Sequence, residues 1–79
     1  MLDGSVVNEG YIDTRILPGM SIREVESVLG EPYLTTPFMG TERASYKISS
    51  SSPGPMSLTG FEVVYDDGKV KHVDKSFGQ

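Results

Sequence analysis

The sequence predicts an α+β fold with two short N-terminal helices on one face of a three-stranded antiparallel meander, a two-layer sandwich. Three observations lead there. Residues 17–33, "LPGMSIREVESVLGEPY", write the start and the stop of a helix into a short space. Residues 44–49 and 57–65 carry strand patterns separated by a polar loop. Asp67-Gly68 then marks a tight hairpin turn into a return strand.

The elements follow in order. Residues 1–10 read as a loose N-terminal segment, and residues 11–77 as one domain. In "YIDTRIL", 11–17, the residues Tyr11, Ile12 and Ile16 fall roughly on one side of a helix that Asn8 could cap. The second helix is better defined. Ser21 suits the N-cap, Glu24 three residues on completes a capping box, and Met20 with Val25 has the spacing of a hydrophobic staple. Val25, Val28 and Leu29 share a face, and Gly30 followed by Pro32 ends the helix. Fewer than ~12–15 residues do not hold a helix in water, so this one must be packed on something. Residues 31–43, with Pro32, Pro37 and Gly40, read as an irregular connection. "ASYKIS", 44–49, alternates apolar and polar like a half-buried strand. "SSSSPGPM", 49–56, is a polar loop, and "SLTGFEVVY", 57–65, is a strand in which Gly60 marks a bulge or a close contact.

A two-residue turn at Asp67-Gly68 pairs Tyr65 with Val70, Val63 with His72 and Phe61 with Asp74. That register puts Phe61, Val63, Tyr65, Val70 and His72 on the face toward the helices, and Glu62, Val64, Lys71, Val73 and Lys75 on the other. A bulged three-residue turn would instead move Val73 to the side of Phe61 and Val63.

Length and composition limit the choices of function. Seventy-nine residues make one small domain whose core is thin. The absence of cysteine leaves neither disulfides nor thiolate metal sites. The chain is 37% hydrophobic and 23% charged, as a small folded domain is. Its net charge of −4 speaks against nucleic acid. Residues 1–42 hold seven acids and two bases, whereas 43–79 hold four acids and five bases. No apolar run approaches the ~18 residues that cross a bilayer, and "MLDGSVVNEG" lacks the basic and apolar regions of a signal peptide.

Chemistry is sparse. His72 is the only histidine and falls mid-strand, without a second ligand for a metal. The hydroxyls of 49–52 lie in a loop with no base beside them. Asp66-Asp67 fits turn chemistry better than a calcium loop, because the ligand spacing that should follow is missing. Lys69, Lys71 and Lys75 could attract an anionic surface, but they fit a solvated or edge-protecting face better. The expectation is therefore a non-enzymatic domain with no cofactor and no metal. Leu34, Phe38 and Met39 are apolar residues in an irregular segment. They either fold back on the core or form an exposed lip for a protein partner or lipid.

The block of residues 17–33 resembles the SmpA/OmlA (BamE-like) family of small outer-membrane lipoproteins. The matching positions are Gly19, Met20, Ser21, Val25, Leu29, Gly30 and Pro32. Downstream, Pro37-Phe38 is similar to the family's Asp-Pro-Phe, with Thr36 in place of the aspartate. Tyr46 is similar to the tyrosine of its Trp-x-Tyr strand, with Ala44 in place of the tryptophan. "VVYDDGKVKHVD" is similar to its last hairpin. The resemblance implies the helix-helix-sheet fold also seen in β-lactamase inhibitor proteins. It implies a location on the periplasmic side of the outer membrane as a lipoprotein, although the chain has no lipid-bearing cysteine; a cytoplasmic location is the alternative. It implies an envelope partner in the β-barrel assembly machinery, with anionic lipid as a further ligand. Carried over by position, and joined to the apolar lip, these contacts fall on Tyr33, Leu34, Pro37, Phe38 and Met39. The alternative function is an inhibitor-like module whose sheet face, at Glu62 or Lys71, binds an enzyme.

Overall fold

The computed structural model describes residues 2–49 and 57–78. In chain order the elements are β1 (Leu2–Asp3), α1 (Glu9–Arg15), α2 (Ile22–Leu29), β2 (Leu34–Phe38), β3 (Thr41–Ser49), β4 (Leu58–Asp66) and β5 (Lys69–Phe77). Strands β2 to β5 form an antiparallel meander, and β1 adds to β3 in parallel. The sheet is thus five-stranded and mixed, which corrects the expected three-stranded antiparallel meander.

Both extra strands lie on the same edge of β3. Leu2 pairs with Ile48 and Asp3 with Ser49, so the expected loose segment of residues 1–10 contributes a strand and also buries Val7. The segment read as an irregular connection contributes β2. Most of the loop read at 49–56 lies outside the described residues.

The helices form as their caps dictate. Asn8 Oδ1 accepts from the Tyr11 amide at 2.9 Å and opens α1. Ser21 and Glu24 form the full capping box of α2, with Ser21 Oγ accepting from the Glu24 amide at 3.2 Å and Glu24 Oε1 from the Ser21 amide at 3.1 Å. Ile12, Ile16, Val25 and Leu29 then bury against Ala44, Tyr46 and Ile48 of β3, Phe61, Val63 and Tyr65 of β4, and Val70 of β5. Val25 is fully buried, which contributes roughly 1.5–3 kcal/mol. The Tyr46 and Phe61 rings stack at 5.2 Å in the middle of this layer. The Tyr46 hydroxyl donates to the Gly30 carbonyl at 2.9 Å and so fixes the end of α2 to the sheet. The turn before α2 is tied down as well. The Gly19 amide donates to the Val70 carbonyl and the Val70 amide to the Met20 carbonyl, each at 2.8 Å, so this segment covers part of the β5 edge.

The last hairpin departs from both expected registers. The turn itself holds, with Tyr65 opposite Val70 and Asp66 opposite Lys69. Beyond it a bulge at Lys71 shifts the ladder, so that His72 faces Val64, Val73 faces Val63 and Lys75 faces Phe61. Val73 and Lys75 therefore share the helix side, and His72 does not. Lys75 is accommodated there because α1 supplies its counter-charges. Its Nζ lies 2.7 Å from Asp13 and 3.4 Å from Glu9, and the Asp13 hydrogen bond holds its pKa above the usual lysine value. At the far end of β4, Gly60 permits a close crossing, since a Cβ there would lie 2.8 Å from the Tyr46 carbonyl oxygen.

Candidate functional site

The strand missing from the sequence reading is also the most exposed element. Strands β2 and β3 join through Met39-Gly40, both at positive φ (47° and 84°), as a type I′ hairpin requires. The Thr41 hydroxyl braces this turn by donating to the Phe38 carbonyl at 2.6 Å. Asn-Gly or Asp-Gly would have signalled the turn. A methionine in the left-handed region is uncommon and costs roughly 1–2 kcal/mol, so Met39-Gly40 does not read as a turn.

Pro37 hid the strand too, because proline reads as a breaker. Its place removes the conflict. With Phe38 and Thr41 hydrogen-bonded across the turn, the alternate positions Thr35 and Pro37 direct their backbone groups away from β3. Proline thus gives up an N–H that would face outward in any case. The same geometry leaves the free edge of β2 short of donors, which disfavours pairing with another strand.

All five residues of β2 are exposed, so both faces of this strand lie open beyond the helical layer. The five residues expected to bind a partner fall here. Leu34 and Phe38 project on the face opposite the helices, in register with Ser45 and Thr41. Pro37 lies on the helix side, opposite Glu42. Met39 tips the turn at 88% exposure, and Phe38 is 65% exposed. Tyr33 precedes the strand, with Lys47 Nζ 4.6 Å over its ring. Tyr33 and Lys47 also line a shallow pocket of about 270 Å³ with Leu2, Glu31 and Tyr46, in the gap between β1 and β2. Leu34, Phe38 and Met39 are thus exposed and do not fold back on the core.

The rest of the outer sheet face is polar. Arg43 Nη1 donates to Glu62 at 3.2 Å and to Asp74 at 2.9 Å, and the Ser45 hydroxyl donates to Glu62 at 3.1 Å. His72 Nε2 lies 3.4 Å from Asp74. The Arg43 hydrogen bond holds the Asp74 carboxyl below the usual carboxylate value, and Asp74 in turn raises Arg43. These charges are half-exposed and add little stability. They do screen Val64, which is buried on this face between Arg43 and His72 in the register. The network escaped the sequence reading because its members come from three strands, and the Lys71 bulge decides that His72 and Asp74 face it. That bulge also takes Lys71 out of the ladder, away from its expected place opposite Val64 on the face of Glu62.

Among the described residues no cluster of histidine, aspartate or glutamate has the form of a metal site. No helix there is long and apolar enough to cross a membrane. No protein-family model matches this chain, and no curated protein and no solved structure matches it.

Proposed function

We propose that the protein is a non-enzymatic binding module that engages its partner through the β2–β3 hairpin. One observation carries this reading. A chain with so small a core leaves Leu34, Phe38 and Met39 outside it, on a hydrogen-bonded strand with both faces open. Exposed apolar residues gathered on one protruding element mark an interaction surface more often than scattered ones do. Aromatic and methionine side chains are also those enriched where protein partners meet. The envelope setting, with a lipoprotein anchor and the β-barrel assembly machinery as partner, is carried by the sequence resemblance alone, spread over residues 17–74.

A second reading has its own support. The outer sheet face has no helix over it among the described residues, and an inhibitor-like module could lay Glu62 and Arg43 against an enzyme. Site-specific photo-crosslinking separates the two. A benzophenone side chain replacing Met39 should capture a discrete partner from a bacterial envelope fraction, and Phe38→Ala should abolish the product. Crosslinks from a group at Glu62 that survive Phe38→Ala would favour the sheet face instead.

A further inference from the structure

The surroundings of the hairpin tip define a chemistry for what it binds. Both tight turns lie at one end of the sheet, because Thr41 opposite Asp66 sets Met39-Gly40 beside Asp67-Gly68. Three carboxylates stand at that end. Glu42 lies opposite Pro37, Asp66 lies opposite Thr41, and Asp67 occupies the second turn. None of the three makes an ion pair among the described residues. Arg43, the cation of this hairpin, is already held by Glu62 and Asp74. Lys69 lies opposite Asp66 across the turn, and its charge also acts on Glu24. With Glu42, Asp66 and Asp67 against Lys69 and Lys71, acid exceeds base at the end of the sheet that carries Phe38 and Met39.

We infer that the hairpin takes a cationic amphipathic protein segment, laying its apolar side chains on Phe38 and Met39 and presenting lysine or arginine to Glu42, Asp66 and Asp67. This rests on reading the hairpin as the binding surface. The carboxylates stand on both sides of the exposed strand, Glu42 toward the helices and Asp66 toward the outer face, so they rim the apolar tip. Apolar centre and charged rim is how protein interfaces divide their work, and the rim charges steer association. Strand addition is disfavoured by the outward Pro37, so side chains must make the contact. The same carboxylates would repel an anionic bilayer, which separates this partner from the lipid expected from the resemblance.

The test uses a fluorescent synthetic peptide of alternating lysine and leucine pairs that forms an amphipathic helix, and vesicles containing phosphatidylglycerol. The wild-type domain should bind the peptide and leave the vesicles alone. The triple variant Glu42→Gln, Asp66→Asn, Asp67→Asn should bind the peptide about tenfold more weakly, as the loss of the exposed ion pairs at the rim implies. Asparagine keeps the left-handed turn position of Asp67, and a circular dichroism melt checks that the variant folds. Glu9→Gln with Asp13→Asn, on α1, removes two charges elsewhere and should leave binding unchanged. If Phe38→Ala weakens binding and the triple variant does not, the hairpin reading stands and the inferred charge preference falls. If neither variant weakens it, both fall. Phosphatidylglycerol vesicles bound as tightly as the peptide would overturn the inference.

Discussion

Removing one oxygen from the core should stabilise this protein. Tyr65 is 1% exposed, and its hydroxyl has no hydrogen-bond partner among the described residues. A buried donor left unmatched costs about 1–3 kcal/mol. Tyr65→Phe removes that group and keeps the ring in place between β3 and α2. The void it leaves is smaller than a methyl group, which limits the packing loss to under ~1 kcal/mol. The net is a gain of about 1 kcal/mol, or roughly 4–8 °C in Tm for a domain of this size. Tyr46→Phe is the matched comparison. That hydroxyl donates to the Gly30 carbonyl at 2.9 Å, so its loss should cost about 0.5–1.5 kcal/mol. Thermal and urea unfolding of the two variants beside the parent should give shifts of opposite sign. A Tyr65→Phe variant destabilised by more than ~1 kcal/mol would refute the reasoning, because the hydroxyl would then have a partner in the folded protein.

Other outcomes follow from the same contacts. Leu29→Ala, at a site only 5% exposed against the sheet, should cost ~2–5 kcal/mol, and a variant that melts with the parent would show that α2 does not pack as described. Ser21→Ala breaks the capping box and should cost roughly 0.5–2 kcal/mol by urea midpoint. Alkali should unfold the protein. Burial, aided by Glu26, pushes the Tyr46 phenol up to about 12, and burial raises Tyr65 as well. The unfolded chain ionises near pH ~10, so it sheds protons first, and stability falls from there by about 1.4 kcal/mol per pH unit for each tyrosine. Urea midpoints between about pH 9 and 11.5 should show this decline, and Tyr65→Phe should make it shallower.

How far the fold could be read from sequence depended on how local its signals were. The α2 boundaries were legible because Ser21, Glu24, Gly30 and Pro32 each act within one turn of where they stand. The Asp67-Gly68 turn was legible for the same reason, with Asp67 and Gly68 both at positive φ. Leu2–Asp3 was not, because a two-residue parallel strand has no periodicity and depends on a partner nearly fifty positions away. A bulged turn puts Val73 on the side of Phe61 and Val63, where it lies, but no local signal sets the bulge at Lys71. Its position follows from what happens to Lys75, which reaches Glu9 and Asp13 only if the ladder shifts. At the candidate site, the resemblance and the apolar residues point to Tyr33, Leu34, Pro37, Phe38 and Met39, while the strand Leu34–Phe38 stays hidden behind Pro37 and a Met-Gly turn. Sequence could not choose between core and lip for Phe38. That choice depends on how far β2 extends past the helical layer.

Phe38→Ala tests the binding surface most directly, with unfolding and binding measured on the same sample. Phe38 is 65% exposed, so its truncation opens no cavity and should change stability by no more than ~0.5 kcal/mol. Binding of the cationic amphipathic peptide, and the crosslink from position 39, should nevertheless be lost. A stability loss of ~3–5 kcal/mol would place Phe38 in the core and contradict the account, and unchanged stability with unchanged binding would contradict it equally.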